Sequence, residues 1–190
     1  MLKQLISRVR RNHALEHATI HVLSERVHRF GVQGNATWGG YYLNLYGDVD
    51  LAAVEESARE ALRRMKAGQN QLAIHPNCGT VLLTTATLTT LTGQAVFAVE
   101  QKRARLDRLD MGSFLAILPT AVLAVVFAII VSRPMGMYLQ TFTTDGQPGD
   151  LHIREVREIR PSPLTHAFRV LLGRAKTPMK SFYISTVDTP

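Results

Sequence analysis

Cysteine and tryptophan are the scarcest residues of this 190-residue chain, since each occurs only once. A single cysteine excludes an internal disulfide and favours a reducing compartment. The N-terminal stretch MLKQLISRVRRN is basic, but it lacks the apolar core and the cleavage site of a secretory signal peptide. The chain has no internal repeat and no low-complexity tract, and its length suits one domain with some residues to spare.

The chain also lacks the sequence features of nucleic-acid-binding proteins, although its formal net charge is +7. It has no basic run interleaved with aromatic residues that would stack on bases, and no recognisable nucleic-acid motif. On a membrane protein, excess positive charge favours contact with anionic lipid headgroups. We therefore expect the lipid bilayer, and not nucleic acid, as a partner.

Charge is absent from two long segments. Residues 113–132 are almost wholly apolar and long enough to cross the ~30 Å hydrocarbon core of a bilayer as a helix. Residues 80–99 are also uncharged, but they contain seven threonines together with Gly93 and Gln94. Threonine hydroxyls can bond back to helix carbonyls, and small residues let helices approach closely in lipid. The two segments predict a transmembrane hairpin; the alternatives are a buried core helix and a helix lying against a soluble domain.

The predicted hairpin returns the chain to its starting side of the membrane. Its connecting loop, residues 100–112, is basic, which favours a cytoplasmic loop, but the N-terminus is basic as well. A reducing compartment suits the lone cysteine. We expect a multi-pass cell-membrane protein with two helices, whose polar parts share one compartment, the cytoplasm.

The remaining sequence alternates between helical and strand-like patterns. Helical periodicity covers residues 3–28, and a helix capped by Asp50 is expected at 51–67. Strands are expected at Tyr41–Tyr46 and, as a short piece, at 71–75, whereas residues 32–40 are turn-rich with a hairpin partner before Gly39. Further along, 151–159 is either a strand or a short helix, and 161–190 reads as an irregular tail with an amphipathic helix near Leu164–Leu172.

These elements predict an α+β fold. A small helix–strand–helix domain, residues 1–79, joins the hairpin of residues 80–132, with helices at about 80–99 and 113–132. A C-terminal polar segment, residues 133–190, is expected to pack on the first domain.

Residues 13–17 read His-Ala-Leu-Glu-His. On a helix, His13 and His17 share a face, so both imidazoles can reach one metal ion, and His21 continues the same stripe. Glu16 can act as general base for a metal-bound water, as a ligand, or as a group that supports the ligands. The pattern H-x-x-E-H is the signature of inverted zinc peptidases. The alternative is a polar core that binds no metal.

Residues 75–80 read His-Pro-Asn-Cys-Gly-Thr. His75 and Cys78 are separated by two residues in a turn, a spacing that lets both bind one ion. Cys78 also lies near the expected N-terminus of the first membrane helix, which lowers a thiol pKa and favours the thiolate. Together with His13 and His17, this pair predicts a site for zinc or another divalent transition metal at the membrane boundary.

The two motifs, RNHALEHATIH at residues 11–21 and HPNCGT at 75–80, are followed at once by membrane helices. In this respect the chain resembles an uncharacterised bacterial integral-membrane family over residues 10–160. It is more remotely similar to the YqhQ-like proteins, predicted metal-dependent membrane proteins with the pair H-x-A-E-H-x-T-I and H-P-x-C-G-T-S, which favour alanine where Leu15 stands here. The resemblance implies a metal site, without a substrate, at the matching positions His13, Glu16, His17, His75 and Cys78.

Three functions are compatible with these motifs. In the first, a metal-dependent hydrolase acts on a lipid or a membrane protein: the ion, held by His13, His17 and one or both of His75 and Cys78, activates water, and Glu16 accepts its proton. In the second, the ion is structural and the protein serves membrane assembly as a scaffold. In the third, Cys78 is a nucleophile with a histidine as its base, and no metal is involved.

Overall fold

The computed structural model describes residues 2–103, 110–171, 173 and 177–188. In chain order, the elements of these residues are α1 (Leu2–Arg26), β1 (Gly31–Thr37), β2 (Gly40–Tyr46), α2 (Leu51–Lys66), a 3-10 helix (Asn70–Ala73), α3 (Gly79–Arg103), α4 (Met111–Thr143), β3 (Leu151–Ile159), α5 (Pro163–Leu171) and β4 (Met179–Asp188). The predicted α+β class is confirmed. The chain forms two compact units, residues 1–75 with 143–190, and residues 76–142.

The first unit is built on an antiparallel sheet with strand order β1-β2-β4-β3. Side chains alternate between the two faces of a strand, so Tyr41, Leu43 and Leu45 of β2 all point to one face. In β4, Phe182 pairs with Leu43 and Ile184 with Tyr41, and all of these side chains are fully buried. The helices α1 and α2 cover this face, to which they contribute buried residues that include Leu15, Leu23, Val54, Ala58 and Leu62.

The hairpin of β1 and β2 begins where the sequence appeared turn-rich. β1 pairs with β2 from Gly31 opposite Tyr46 to Thr37 opposite Gly40, which confirms the hairpin partner and shortens the expected turn. Gly40 has a φ of 145°, and a Cβ there would overlap the carbonyl oxygen of Ile184. Only glycine tolerates this backbone at so close an approach between strands.

The second helix follows its sequence signals closely. The carboxylate of Asp50 accepts a hydrogen bond from the amide of Ala53 at 2.7 Å, as an N-cap does. Gly68, just past the end of the helix, has a φ of 93°. Ion pairs join Arg64 to Glu60 on the same helix and to Glu25 on α1. The expected helix at 51–67 is therefore confirmed.

Two predictions for the first unit are wrong. Residues 71–75 do not form a strand: the amides of Leu72 and Ile74 bond to the carbonyls of Gln69 and Gln71, which closes a 3-10 turn. The supposedly irregular tail contains β4, which pairs with β2 on one side and β3 on the other. β4 is not joined to either partner strand by a tight turn, so the sequence around it has no hairpin signal that would indicate a strand. The expected helix near 164–172 is present as α5; Leu172 lies outside the described residues.

The second unit is a helical hairpin. Contacts between the helices join Val81 to Gly136, Thr85 to Ser132 and Phe97 to Phe114, so positions that rise along α3 fall along α4. A Cβ on Gly136 would lie 2.8 Å from the Cα of Val81, so glycine permits this close crossing. The hydroxyls of Thr85 and Ser132 lie 2.8 Å apart, within hydrogen-bonding distance.

Both helices of this unit are long and apolar enough to cross a membrane. They exceed the expected spans of 80–99 and 113–132, because α3 runs to Arg103 and α4 continues past Pro134 to Thr143. The helix α4 thus continues beyond the expected span, and Gly136, one turn past residue 132, still packs on α3; the bounds of the two membrane spans stay a prediction. Residues 104–109 of the expected basic loop lie outside the described residues.

Hydrogen bonds fasten the first half of α1 to distant parts of the first unit. Asn12 is fully buried, and its amide group donates to the carbonyls of Thr37 and Trp38 and accepts from the hydroxyl of Thr186. Arg8 donates to the carbonyl of Thr186 at 2.8 Å. The side chain just before His13 thus fixes the helix to β1, to the turn after it and to β4.

Replacing Asn12 by alanine should destabilise the first unit by about 2–4 kcal/mol, because several buried polar groups would lose their partner at once. Chemical denaturation of the full chain in detergent, followed by circular dichroism, measures this change. Asn35→Ala, at an exposed position of β1, is the matched control and should change the unfolding free energy by less than about 0.5 kcal/mol. Equal effects of the two variants would contradict this role of Asn12.

Candidate metal centre

The helix α1 presents three histidines at four-residue intervals, His13, His17 and His21. Four residues are close to one helical turn, so the three rings lie along one side of the helix. The rings of His13 and His17 have centroids 4.5 Å apart, and a ring nitrogen of each lies within 4.8 Å of one on the other. His17 is 2% exposed, whereas His13 and His21 are half-buried.

Backbone carbonyls fix the orientation of the first two rings. The Nδ1 of His17 lies 2.7 Å from the carbonyl oxygen of Ala73, and that of His13 lies 3.2 Å from the carbonyl oxygen of Thr143. A carbonyl can only accept, so each Nδ1 carries the hydrogen and donates it. In the neutral ring the lone pair then lies on Nε2, the arrangement that metal-binding histidines adopt.

His75 follows the 3-10 helix and lies beside the α1 histidines. Its ring centroid is 5.8 Å from that of His17 and 4.9 Å from that of His21. Burial, with a smaller contribution from the charge of His21, lowers the pKa of His75 to about 4. Burial also lowers the pKa of His13, although its bond to the Thr143 carbonyl opposes the shift. Both rings are therefore neutral at pH 7, which is the form that binds a metal.

Cys78 belongs to the second unit and directly precedes α3. Its carbonyl accepts hydrogen bonds from the amides of Val81 and Leu82, and its Sγ donates to the hydroxyl of Thr80 at 3.7 Å. The expected position of the thiol at a helix N-terminus is confirmed. Because only two residues separate Cys78 from His75, chain geometry keeps their Cα atoms within about 11 Å of each other.

The carboxyl group of Glu16 is buried between α1 and the sheet. It occupies the space where a side chain on Gly34 of β1 would be, since a Cβ there would overlap the carboxyl group. Tyr41 is a further neighbour: burial raises the pKa of its hydroxyl, and the negative charge of Glu16 adds to this effect. The Tyr41 hydroxyl lies 2.7 Å from the hydroxyl of Thr19, which in turn donates to the Leu15 carbonyl.

Several groups of this region were not expected from the sequence. The motif residues were recognised by their spacing, but the carbonyls of Ala73 and Thr143 carry no sequence signal, because every residue has a carbonyl. The sequence also does not indicate the pairing of His21 with His75. In the sequence, Gly34 is only one residue of a turn-rich segment, whereas in the structure its lack of a side chain is what accommodates Glu16.

Comparison with known proteins places this chain among relatives of unknown function. It matches the family model described as a domain of unknown function, DUF6391, over residues 8–156, which include both motifs. It is similar to an uncharacterized protein of Picosynechococcus sp. strain PCC 7002, with 31% identity over 160 residues, 79% of this chain and 72% of that protein. No solved structure matches the chain. The resemblance to an uncharacterised family is confirmed; its membrane character and the YqhQ-like similarity stay predictions.

A methyl group at position 34 should displace the carboxyl group of Glu16. We expect Gly34→Ala to lower the unfolding free energy by about 1–3 kcal/mol, because the neighbouring side chain must move or the strand must shift. Thermal unfolding monitored by circular dichroism measures the loss. Gly31→Ala is the control in the same strand, where a Cβ would meet Tyr46 at an ordinary 3.5 Å. If both variants have the melting temperature of the unaltered protein, the Glu16 carboxyl group does not require the missing side chain of Gly34.

Proposed function

We propose that this chain, which belongs to the DUF6391 family of unknown function, is a membrane protein with a divalent transition-metal site. His13 and His17 are the central ligands of a zinc-like ion. One observation carries the proposal: both rings donate Nδ1–H to a backbone carbonyl, which places the two lone pairs on Nε2. Two adjacent imidazoles with the same fixed tautomer are typical of a metal site.

The distances suit this assignment. Zinc–nitrogen bonds of 2.0–2.1 Å place two nitrogens on a tetrahedral ion about 3.3 Å apart. Ring nitrogens of His13 and His17 are already within 4.8 Å. The sequence predicts one or both of His75 and Cys78 as further ligands, and a cysteine thiolate would suit a borderline-soft ion such as zinc. Three protein ligands leave a position for water, whereas four close the site.

The membrane part of the proposal rests on α3 and α4. At 1.5 Å per residue, the 25 and 33 residues of these helices extend about 37 and 50 Å, more than a hydrocarbon core. Large apolar side chains are exposed along both of them, among them Leu82, Leu83, Leu91, Leu123, Phe127 and Ile130. A core helix of a soluble protein would bury such residues, so lipid is the environment that suits them. We place the first unit in the cytoplasm, because the single cysteine of the chain fits a reducing compartment.

Hydrolysis is the reaction that this donor set supports best. A zinc-like ion lowers the pKa of a bound water to about 7 and polarises a carbonyl or phosphoryl oxygen. Glu16, adjacent to His17 in the chain, is the proposed base for that water. Because His75 and Cys78 precede α3 by only a few residues, the proposed substrate is a lipid or a membrane protein.

A structural ion is the second candidate. It is favoured by the environment of Glu16, a residue that is 5% exposed and whose carboxyl group fills the space beside Gly34. In that case the ion joins α1 to the segment after the 3-10 helix, and Glu16 braces the helix against the sheet. The protein would then serve assembly in the membrane and not catalysis.

Metal analysis of the purified full chain tests the site itself. Extracted from the membrane fraction in mild detergent and dialysed against zinc, the protein should retain at least one ion that His17→Ala and His13→Ala both remove, because each variant deletes a ligand. Elemental analysis by mass spectrometry gives the ratio of zinc to chain. His28→Ala, at an exposed position just past α1, should leave the ratio unchanged.

Since His17 is buried, its variant is checked by circular dichroism, and the half-buried His13 provides a ligand deletion with a smaller packing defect. No zinc bound to the well-folded unaltered protein would overturn the metal site. Recovery of the protein from the soluble fraction would overturn the membrane assignment.

Glu16→Gln separates the two candidate functions. If Glu16 is the general base, the variant keeps its zinc and its thermal midpoint but hydrolyses the ester probe 4-nitrophenyl acetate about 100-fold more slowly, since a base contributes about 10²–10⁴-fold. If the ion is structural, unaltered and variant protein show no zinc-dependent hydrolysis, and zinc raises the melting temperature of both. The first result supports a hydrolase, and the second excludes that role for Glu16.

A further inference from the structure

His21 and His75 form a pair that the proposed zinc site does not require. His21 lies one turn beyond His17 on α1, and His75 directly follows Ile74, whose carbonyl contacts His21. The two ring centroids are 4.9 Å apart, with an angle of 59° between the ring planes. Both residues are half-buried.

His21 bonds to a backbone carbonyl through Nε2, whereas His13 and His17 do so through Nδ1. Its Nε2 lies 2.9 Å from the carbonyl oxygen of Ile74, so this nitrogen donates and the lone pair of the neutral ring lies on Nδ1. The nitrogen opposite a bonded N–H is the one that binds a metal.

The spacing of the pair fits one shared ion. With metal–nitrogen bonds of 2.0–2.1 Å, the centroids of two imidazoles on a tetrahedral ion are about 5 Å apart. His75 meets this value with His21, at 4.9 Å, and exceeds it with His17, at 5.8 Å. His75 is therefore better placed to share an ion with His21 than with His17.

We propose that His21 and His75 hold a second divalent transition-metal ion, next to the ion assigned to His13 and His17 and separate from it. Imidazole ligands select ions such as Zn²⁺, Ni²⁺ and Cu²⁺. With two protein ligands, water fills the remaining positions, so this ion binds more weakly than the first and exchanges with solvent. The second site does not depend on occupation of the first.

Equilibrium dialysis of the detergent-purified full chain against Zn²⁺ tests the second site. Over a range of free zinc concentrations the unaltered protein should bind two ions, and His21→Ala should bind one, with the tighter step retained. His28→Ala, which removes an exposed histidine just past α1, is the matched control and should still bind two zinc ions. A variant lacking His13 and His17 should keep one weak ion, which is lost when His21→Ala is added.

Copper provides a readout of distance. With two equivalents of Cu²⁺, electron paramagnetic resonance of the unaltered protein should show dipolar coupling between neighbouring ions, because the His17 and His75 ring centroids are only 5.8 Å apart. His21→Ala should give the spectrum of an isolated ion.

Retention by His21→Ala of every ion that the unaltered chain binds, whether one or two, would overturn the second site. The two proposals fail separately: loss of all binding in the variant without His13 and His17 contradicts only the second site. An ion that persists in that variant and disappears with His21→Ala supports the second site even if the first is absent.

Discussion

Buried polar groups must find hydrogen-bond partners, and among the described elements α1 has more buried polar residues than any other. The buried face of this helix mixes core residues such as Leu15 and Leu23 with Asn12, His17 and Thr19. Each polar side chain is satisfied by a different element: β1 and β4 for Asn12, the 3-10 helix for His17, and β2 for Thr19. These hydrogen bonds fix the position of α1 relative to the sheet and the 3-10 helix, and they therefore also fix the position of the histidines on α1.

This constraint explains why part of the structure could be predicted and part could not. The patterns of α2, β2 and the two apolar helices are local, since their period or their uniform hydrophobicity repeats within one segment. β4 depends on pairing with β2, whose residues precede it by more than a hundred positions, and nothing near residue 180 announces that partner. The 3-10 helix is likewise stabilised by its place beside His17, which a short apolar stretch does not reveal.

The same division applies to the candidate site. Helical spacing was enough to bring His13 and His17 together, because four residues on a helix always share a face. The identity of the donor nitrogen on each ring was not accessible, since it depends on carbonyls 56 and 130 residues away in the chain. Glu16 was assigned from a motif that places it near the metal, yet its burial under Gly34 depends on a strand whose partner residues lie further along.

Metal binding at the proposed site would therefore be linked to the folding of the first unit. The bond that fixes the His17 tautomer also ties α1 to the 3-10 helix, so an ion on Nε2 stabilises the arrangement that presents it. Binding restricted to the folded state adds RT ln(1 + [L]/Kd) to stability, about 2.7 kcal/mol at a free concentration 100 times Kd. An ion in a hydrolytic site would add this stability as well, so stabilisation by zinc alone does not make the ion structural. The two functions differ in whether a water bound to the ion lies within hydrogen-bonding reach of the Glu16 carboxylate, which a general base requires.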